Sequence, residues 1–300
     1  MKPGILSNPI FRITRRTGMA AAIGAWLSGC SAAGVLNALV PSDSYSRMGG
    51  VAYGPEPRRM LDVYKPLTAA GAAPPPIVVF FYGGNWSQGE RADYRFVGEA
   101  LASRGVIVVI ADYRLSPQVR YPEFLRDSAA AVKWTFDHAA ELGGSPANVV
   151  VMGHSAGAYN AAMLALDPRW LRGAGLGADR KLAGWVGLAG PYDFLPIENR
   201  LTQVAFEWPD TPLESQPIEH VTPRAPRSLL LAAVKDDLVD PHRSTVAMAV
   251  RLRAAGVPVT LKLYERVNHV TLLGAIAQPL DWLAPVRAEV LAFLGLPANR

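Results

Sequence analysis

Short hydrophobic runs alternate with amphipathic helical patterns along most of this chain. The runs Ile77–Phe81 and Val106–Ile110 are continuous and rich in β-branched or aromatic residues, which is typical of strands covered on both faces. Further strands are predicted at Leu61–Tyr64, Val149–Met152, Trp185–Leu188, Ser228–Val234 and Val259–Tyr264. Helices are predicted at about 92–104, 123–142, 158–166, 243–255 and 281–294. This alternation predicts one α/β domain, with a mostly parallel central sheet and helices on both faces.

One stretch breaks the rhythm. Residues 194–226 are polar and rich in proline, so they predict a short insertion over the edge of the sheet rather than another strand–helix unit. The fold class expected is therefore α/β with a minimal cap insertion.

The first 29 residues resemble an export signal. Basic residues open the chain, and the apolar run Gly18–Leu27 that follows is too short to span a bilayer. The run ends at Leu27-Ser28-Gly29-Cys30, which resembles a bacterial lipobox with Cys30 as the lipidated residue, and Arg15-Arg16 loosely resembles a twin-arginine signal. An ordinary cleaved signal with Cys30 a bystander is the alternative. We predict a lipoprotein signal peptide at 1–29, a tether at 30–50 and a catalytic domain at 51–297.

Composition excludes several classes of protein. Half of the 300 residues are hydrophobic and 18% are charged, so the chain is neither disordered nor fibrous. Four of its five net positive charges lie in the leader, so the remainder carries only +1 and does not predict nucleic-acid binding. A single cysteine excludes a disulfide framework. The histidines are not clustered as a zinc site requires, and we expect no metal and no cofactor.

A nucleophile is predicted at Ser155. The sequence Gly153-His154-Ser155-Ala156-Gly157 fits G-x-S-x-G, stands directly after a predicted strand and opens a helix. This is the strand–turn–helix setting in which a sharp turn lifts a serine hydroxyl above the sheet. A buried serine in a glycine-rich turn is the structural alternative.

A serine hydroxyl needs a base, and the base needs an acid that orients it. In this chain order the base follows the acid, and His269, in a loop after the last predicted strand, is the histidine that fits. The acid belongs after the strand 228–234, where Asp236, Asp237 and Asp240 compete. Asp240 precedes Pro241 and is a good helix start.

The turn Tyr82-Gly83-Gly84-Asn85-Trp86 follows the strand 77–81. A Gly-Gly turn can direct backbone N–H groups at a developing oxyanion. The amide of Ala156, the residue after the nucleophile, supplies another donor.

Together these motifs resemble the α/β-hydrolase carboxylesterases, in the branch of feruloyl-esterase-like and hormone-sensitive-lipase-like enzymes. The resemblance extends from about residue 53 to 294. Its further elements are Asp112-Tyr113-Arg114, the helix from Tyr121-Pro122 through Asp127, Ala131 and Trp134, and the turn Gly190-Pro191-Tyr192-Asp193.

The resemblance implies Gly84 and Asn85 as oxyanion donors, with Gly83 enabling the turn. Its D-x-x-V step selects Asp236, which Val239 follows, as the acid. Tyr82 departs from the family, which has a histidine that supports the loop at this position.

The function expected is serine carboxylesterase activity toward small or aromatic esters. Trp86 is either a floor of the substrate pocket or plain packing. The alternatives are an arylformamidase-like or peptidase-like amide hydrolase on the same triad, and a non-catalytic envelope protein. Lipidation of Cys30 would place the protein in the bacterial cell envelope, on the membrane.

Overall fold

The computed structural model describes Met1, residues 32–67 and residues 73–298. The predicted leader after Met1, and Cys30 with it, lies outside the described residues. None of the described helices is both long enough and apolar enough to cross a membrane.

Eight strands form one sheet in the order β1-β2-β4-β3-β5-β6-β7-β8. Their bounds are β1 Tyr45–Ala52, β2 Met60–Pro66, β3 Ile77–Phe81, β4 Ile107–Ala111, β5 Val149–His154, β6 Gly184–Leu188, β7 Ser228–Ala233 and β8 Val259–Tyr264. Strands β3 to β8 run parallel to one another, whereas β2 pairs antiparallel with both of its neighbours, β1 and β4. The predicted mostly parallel sheet is confirmed.

Nine α-helices accompany the sheet in the described residues. They are α1 Ala32–Ala38, α2 Arg95–Ala102, α3 Glu123–His138, α4 Ala156–Leu166, α5 Pro168–Gly173, α6 Arg200–Ala205, α7 Ala247–Ala254, α8 His269–Gly274 and α9 Val286–Phe293. Every residue of β3, β4 and β5 is buried, so helices cover both faces at the centre of the sheet, as the continuous apolar runs predicted.

The described part of the predicted tether is structured, which corrects that prediction. Helix α1 is fixed through Asn37, whose side chain donates to the carbonyl of Ala92 and accepts from the amide of Phe96 at 2.9 and 3.0 Å. Strand β1 pairs with β2 along its length, with a bulge after Met48. It is an edge strand that exposes most of its residues, so it lacks the hydrophobic alternation that reveals a strand in the sequence.

Four predicted helices differ from the observed ones at their starts. Those predicted at 92–104 and 158–166 begin at Arg95 and Ala156. The helix predicted at 243–255 begins as a π-helical turn at His242–Val246 and continues as α7. The helix predicted at 281–294 begins only at Val286. Pro285 explains the late start, because proline disfavours helical backbone in the residue before it and cannot donate a helical hydrogen bond.

The insertion after β6 is small, as predicted. It contains α6 and two short 3₁₀ turns, at Leu213–Ser215 and Pro217–His220. Because the central strands are parallel, the loops after β3, β5, β7 and β8 all leave from one edge of the sheet, where the predicted site residues lie.

Candidate active site

Ser155 occupies a strained turn between β5 and α4. Its backbone angles are φ 54° and ψ −123°, a region that non-glycine residues rarely adopt and that is found at functional sites. The flanking glycines are required by space. A Cβ on Gly153 would lie 2.1 Å from the carbonyl oxygen of Gly157, and one on Gly157 would lie 2.0 Å from that of Phe81. The strand–turn–helix geometry predicted from the motif is present.

The side chains of His269 and Asp236 form a direct hydrogen bond. His269 Nδ1 lies 2.8 Å from Asp236 Oδ2, and the other carboxylate oxygen accepts the amides of Leu238 and Val239, each at 2.9 Å. Burial by itself raises the pKa of Asp236, but the hydrogen bond and charge of His269, with the two amides, outweigh it and hold that pKa below its usual value. Asp236 therefore stays ionised and orients the imidazole ring.

The two competing carboxylates, Asp237 and Asp240, form no hydrogen bond with His269 within the described residues. Asp237 is exposed on the loop after β7. Asp240 caps the following helical turn, because its Oδ1 accepts the amides of His242 and Arg243 at 2.8 and 3.3 Å. Of the three aspartates that the sequence left open, the structure brings Asp236 to His269.

Ser155 and His269 line the same cleft, which has a volume of about 1460 Å³. Within the described residues no direct hydrogen bond joins the serine hydroxyl to the imidazole ring. Such contacts are often long before a substrate binds and shorten in the complex. The cleft thus brings a nucleophile and an oriented base to one space.

The predicted oxyanion loop follows β3 and lines the same cleft. The amides of Ser87 and Gln88 both donate to the carbonyl of Gly84, at 2.9 and 3.1 Å, and close a tight turn. Within residues 32–67 and 73–298, the amides of Gly84, Asn85 and Ala156 have no hydrogen-bond acceptor. Ala156 is also the first residue of α4, where the helix dipole favours negative charge. The three amides remain available to an anionic oxygen.

Tyr82 anchors the start of this loop in the place of the family's histidine. Its hydroxyl donates to Asp112 Oδ1 at 2.8 Å and accepts from Arg58 Nη2 at 2.9 Å. Arg58 also donates to the carbonyl of Gly89, at the far end of the loop. The Tyr82 ring stacks between those of Tyr94 and Tyr113. The substitution therefore keeps the support of the loop but supplies it through a phenol and a stack of aromatic rings.

Trp86 both packs and lines the cleft. It is almost wholly buried against Tyr159, Phe194 and Phe206, and its indole N–H donates to Asn160 Oδ1 at 3.0 Å. It also contributes to the cleft lining. The two alternatives for this residue are therefore not exclusive.

Helix α1 is a part of the cleft that the sequence did not reveal. Its residues Ala33, Val35 and Leu36, with Leu39 just after it, line the cleft together with Ser155. The helical spacing of Val35, Leu36 and Leu39 was the available signal, but the small and polar residues around it favoured a tether. Residues 33–39 thus contribute to the wall of the cleft.

Side chains that can bind metal ions are spread out over the described part of the chain. Among the described residues no three His, Cys, Asp or Glu side chains cluster closely enough to hold a metal ion.

A family model described as BD-FAE matches residues 61–250. Over 247 residues the chain is 28% identical to a probable isoprenylcysteine alpha-carbonyl methylesterase of Arabidopsis thaliana, covering 74% of this chain and 50% of that protein. It is 29% identical to esterase LipC of Mycobacterium tuberculosis, covering 75% and 58%. The chain therefore spans about half the length of the curated relatives it matches.

The fold is shared with a solved esterase. The crystal structure of esterase B from Lactobacillus rhamnosis superposes with a TM-score of 0.74 at 18% identity, covering 93% of this chain and 95% of that one. The predicted α/β-hydrolase fold is confirmed.

Proposed function

This chain belongs to the BD-FAE family, and from that premise we propose that it is a serine carboxylesterase that cleaves esters through an acyl-enzyme intermediate. The observation that supports the proposal most is the 2.8 Å contact of His269 with Asp236, at a cleft that Ser155 also lines. The printed names of the relatives, esterase and methylesterase, support the same class of reaction.

The geometry supports the following sequence of steps. Ser155 Oγ attacks the ester carbonyl carbon while His269 Nε2 takes its proton, and the carboxylate of Asp236 stabilises the imidazolium that forms. The amides of Gly84, Asn85 and Ala156 hold the tetrahedral oxyanion, at about 3 kcal/mol per donor in comparable sites. His269 then protonates the leaving alcohol, and water repeats the sequence to release the acid.

The substrate class proposed is small or aromatic esters. The insertion after β6 contains a single six-residue helix and two short turns, which is little material for a lid over long acyl chains. The aromatic side chains of Trp86, Tyr94 and Phe194 line the cleft and offer ring faces for an aromatic acyl or alcohol group.

Export and attachment to the cell envelope through a lipid on Cys30 are also proposed. The support is the order of basic residues, short apolar run and Leu27-Ser28-Gly29-Cys30. Helix α1 begins two residues after Cys30 and lines the cleft, so a lipid on Cys30 would hold the cleft close to the membrane surface. Mass spectrometry of the mature protein tests this: a diacylglyceryl group on Cys30 is expected, and an unlipidated start elsewhere would refute it.

The activity is tested with p-nitrophenyl esters of increasing acyl length. The full chain is compared with Ser155→Ala and with Ser103→Ala, a serine outside the cleft. We expect hydrolysis that peaks at short chains, is lost in Ser155→Ala and persists in Ser103→Ala. A fluorophosphonate should label the wild type and Ser103→Ala alone.

Two results would contradict the proposal. Hydrolysis of matched p-nitroanilides but not of the esters would indicate the amide hydrolase. A folded wild type that neither hydrolyses esters nor reacts with the fluorophosphonate would indicate the non-catalytic protein.

A further inference from the structure

His154, the residue before the nucleophile, is buried at the junction of the loops that form the site. The residue is 7% exposed, and its Nε2 lies 2.8 Å from the backbone carbonyl oxygen of His269, 115 residues away in sequence. A carbonyl can only accept, so Nε2 carries the proton and donates. This bond ties the end of β5 directly to the main chain of the catalytic base.

The oxyanion loop meets the same side chain. A Cβ on Gly83 would lie 3.2 Å from His154 Nδ1 and 2.9 Å from the Cβ of Ser155, so the loop passes over the imidazole with no room for a side chain. His154 thus contacts the nucleophile turn, the loop of the base and the loop of the oxyanion donors.

A positive charge on the His154 imidazole would oppose the reaction. The rings of His154 and His269 are 4.9 Å apart, and during the reaction His269 becomes an imidazolium. Two charges at that distance repel in a site of low dielectric constant. Burial, followed by the charge of His269, lowers the pKa of His154 to about 3. The hydrogen bond to the His269 carbonyl and the carboxylate of Asp236 act in the opposite direction and do not compensate.

We propose that His154 is a positioning residue, whose Nε2–H fixes the main chain of His269 and so orients the imidazole toward Ser155. This inference rests on the proposed esterase function. His154 is among the residues that line the cleft, but in this role it transfers no proton and acts through His269 and the loop that contains Gly83.

The test removes the donor and then restores it. His154→Met has a similar reach but no N–H, whereas the amide nitrogen of His154→Gln can occupy nearly the place of Nε2. His138→Met is the matched control, because His138 Nδ1 also contacts a backbone carbonyl, that of Trp134 at 2.8 Å, outside the cleft. The substrate is p-nitrophenyl acetate, and kcat and KM are determined separately.

We expect His154→Met to lower kcat by about 10- to 100-fold with KM nearly unchanged, since misplacing a catalytic group by about 1 Å can cost that much. His154→Gln should recover most of the loss, and His138→Met should retain the wild-type kcat. A kcat for folded His154→Met equal to wild type, or a His154→Gln as impaired as the Met variant, would overturn the proposal.

A second measurement needs no variant. In the wild-type chain, ¹⁵N-resolved NMR should show His154 as the neutral Nε2–H tautomer from pH 5 to pH 9. Titration near pH 6.5, or a proton on Nδ1 instead, would overturn the proposal even if the Met variant failed to fold. If the wild type lacks esterase activity, the proposed function is wrong and the role of His154 with it. If the wild type is active and His154→Met is not impaired, only the role of His154 is wrong.

Discussion

Tyr82→Phe removes the phenol that replaces the family's histidine while leaving the ring stack in place. The hydroxyl is fully buried, donates to the carboxylate of Asp112 and accepts from Arg58. A hydrogen bond to a charged group contributes about 1.5–3 kcal/mol. In the variant, Asp112 still accepts hydrogen bonds from the amide and guanidinium of Arg91. Arg58 still donates to the carbonyls of Tyr113 and Gly89. The loss therefore comes mainly from one bond.

We expect the free energy of unfolding to fall by about 2 kcal/mol. For a domain of this size that is a decrease in Tm of about 4 °C, at roughly 2 °C per kcal/mol. Urea unfolding of the wild type and the variant, with equal slopes, measures it. The backbone donors of the oxyanion loop are retained, so kcat should change by less than about fivefold, or roughly 1 kcal/mol.

Tyr192→Phe is the matched control. Its ring is also fully buried, but within the described residues its hydroxyl has no hydrogen-bond partner. Removing an unpaired buried hydroxyl is neutral or stabilising. If Tyr82→Phe proved no more destabilised than Tyr192→Phe, the bond to Asp112 would contribute nothing and the argument for Tyr82 as a support would be wrong.

Three further results are expected. Asp236→Asn should lower kcat by about 10³- to 10⁴-fold in the ester assay, because the amide favours the wrong tautomer of His269; a loss below tenfold would contradict the assignment. Because the pKa of His154 is about 3 in the folded chain against 6.5 ordinarily, the unfolded chain binds a proton first on acidification. Stability should therefore fall by about 3 kcal/mol between pH 6.5 and 4, and His154→Gln should lose less over that range. Asp127→Ala removes a fully buried carboxylate that pairs with the partly exposed guanidinium groups of Arg59 and Arg114. It should cost about 3 kcal/mol in urea unfolding, against at most about 1 kcal/mol for the surface carboxylate in Asp137→Ala; equal losses would refute this.

Local sequence was enough where one element decides its own structure. Strands β3 and β8 have the bounds that their hydrophobic runs predicted, since a run of β-branched and aromatic residues favours extended backbone whatever follows it. The turn at Ser155 was equally evident, because only glycine fits where an added Cβ would lie about 2 Å from neighbouring backbone.

Elements held by distant contacts were not evident. Strand β1 is exposed on one edge and is stabilised by pairing with β2. Helix α1 is only seven residues long and depends on the bonds of Asn37 to a segment more than 50 residues away. Short isolated helices and edge strands have too little local stability to leave a pattern of their own.

The active site likewise has features that the sequence determined and features that only the tertiary structure determined. The sequence by itself determined the order of nucleophile, acid and base and the loops on which they stand. It could not choose among Asp236, Asp237 and Asp240 from spacing, because adjacent loop carboxylates differ only in where the folded chain directs them. Tertiary structure placed Asp236 against the ring of His269, and His154 against the main-chain carbonyl of His269. The reason is that parallel strands bring loops far apart in sequence to one edge of the sheet, and contacts made there follow from strand order, which local patterns do not encode.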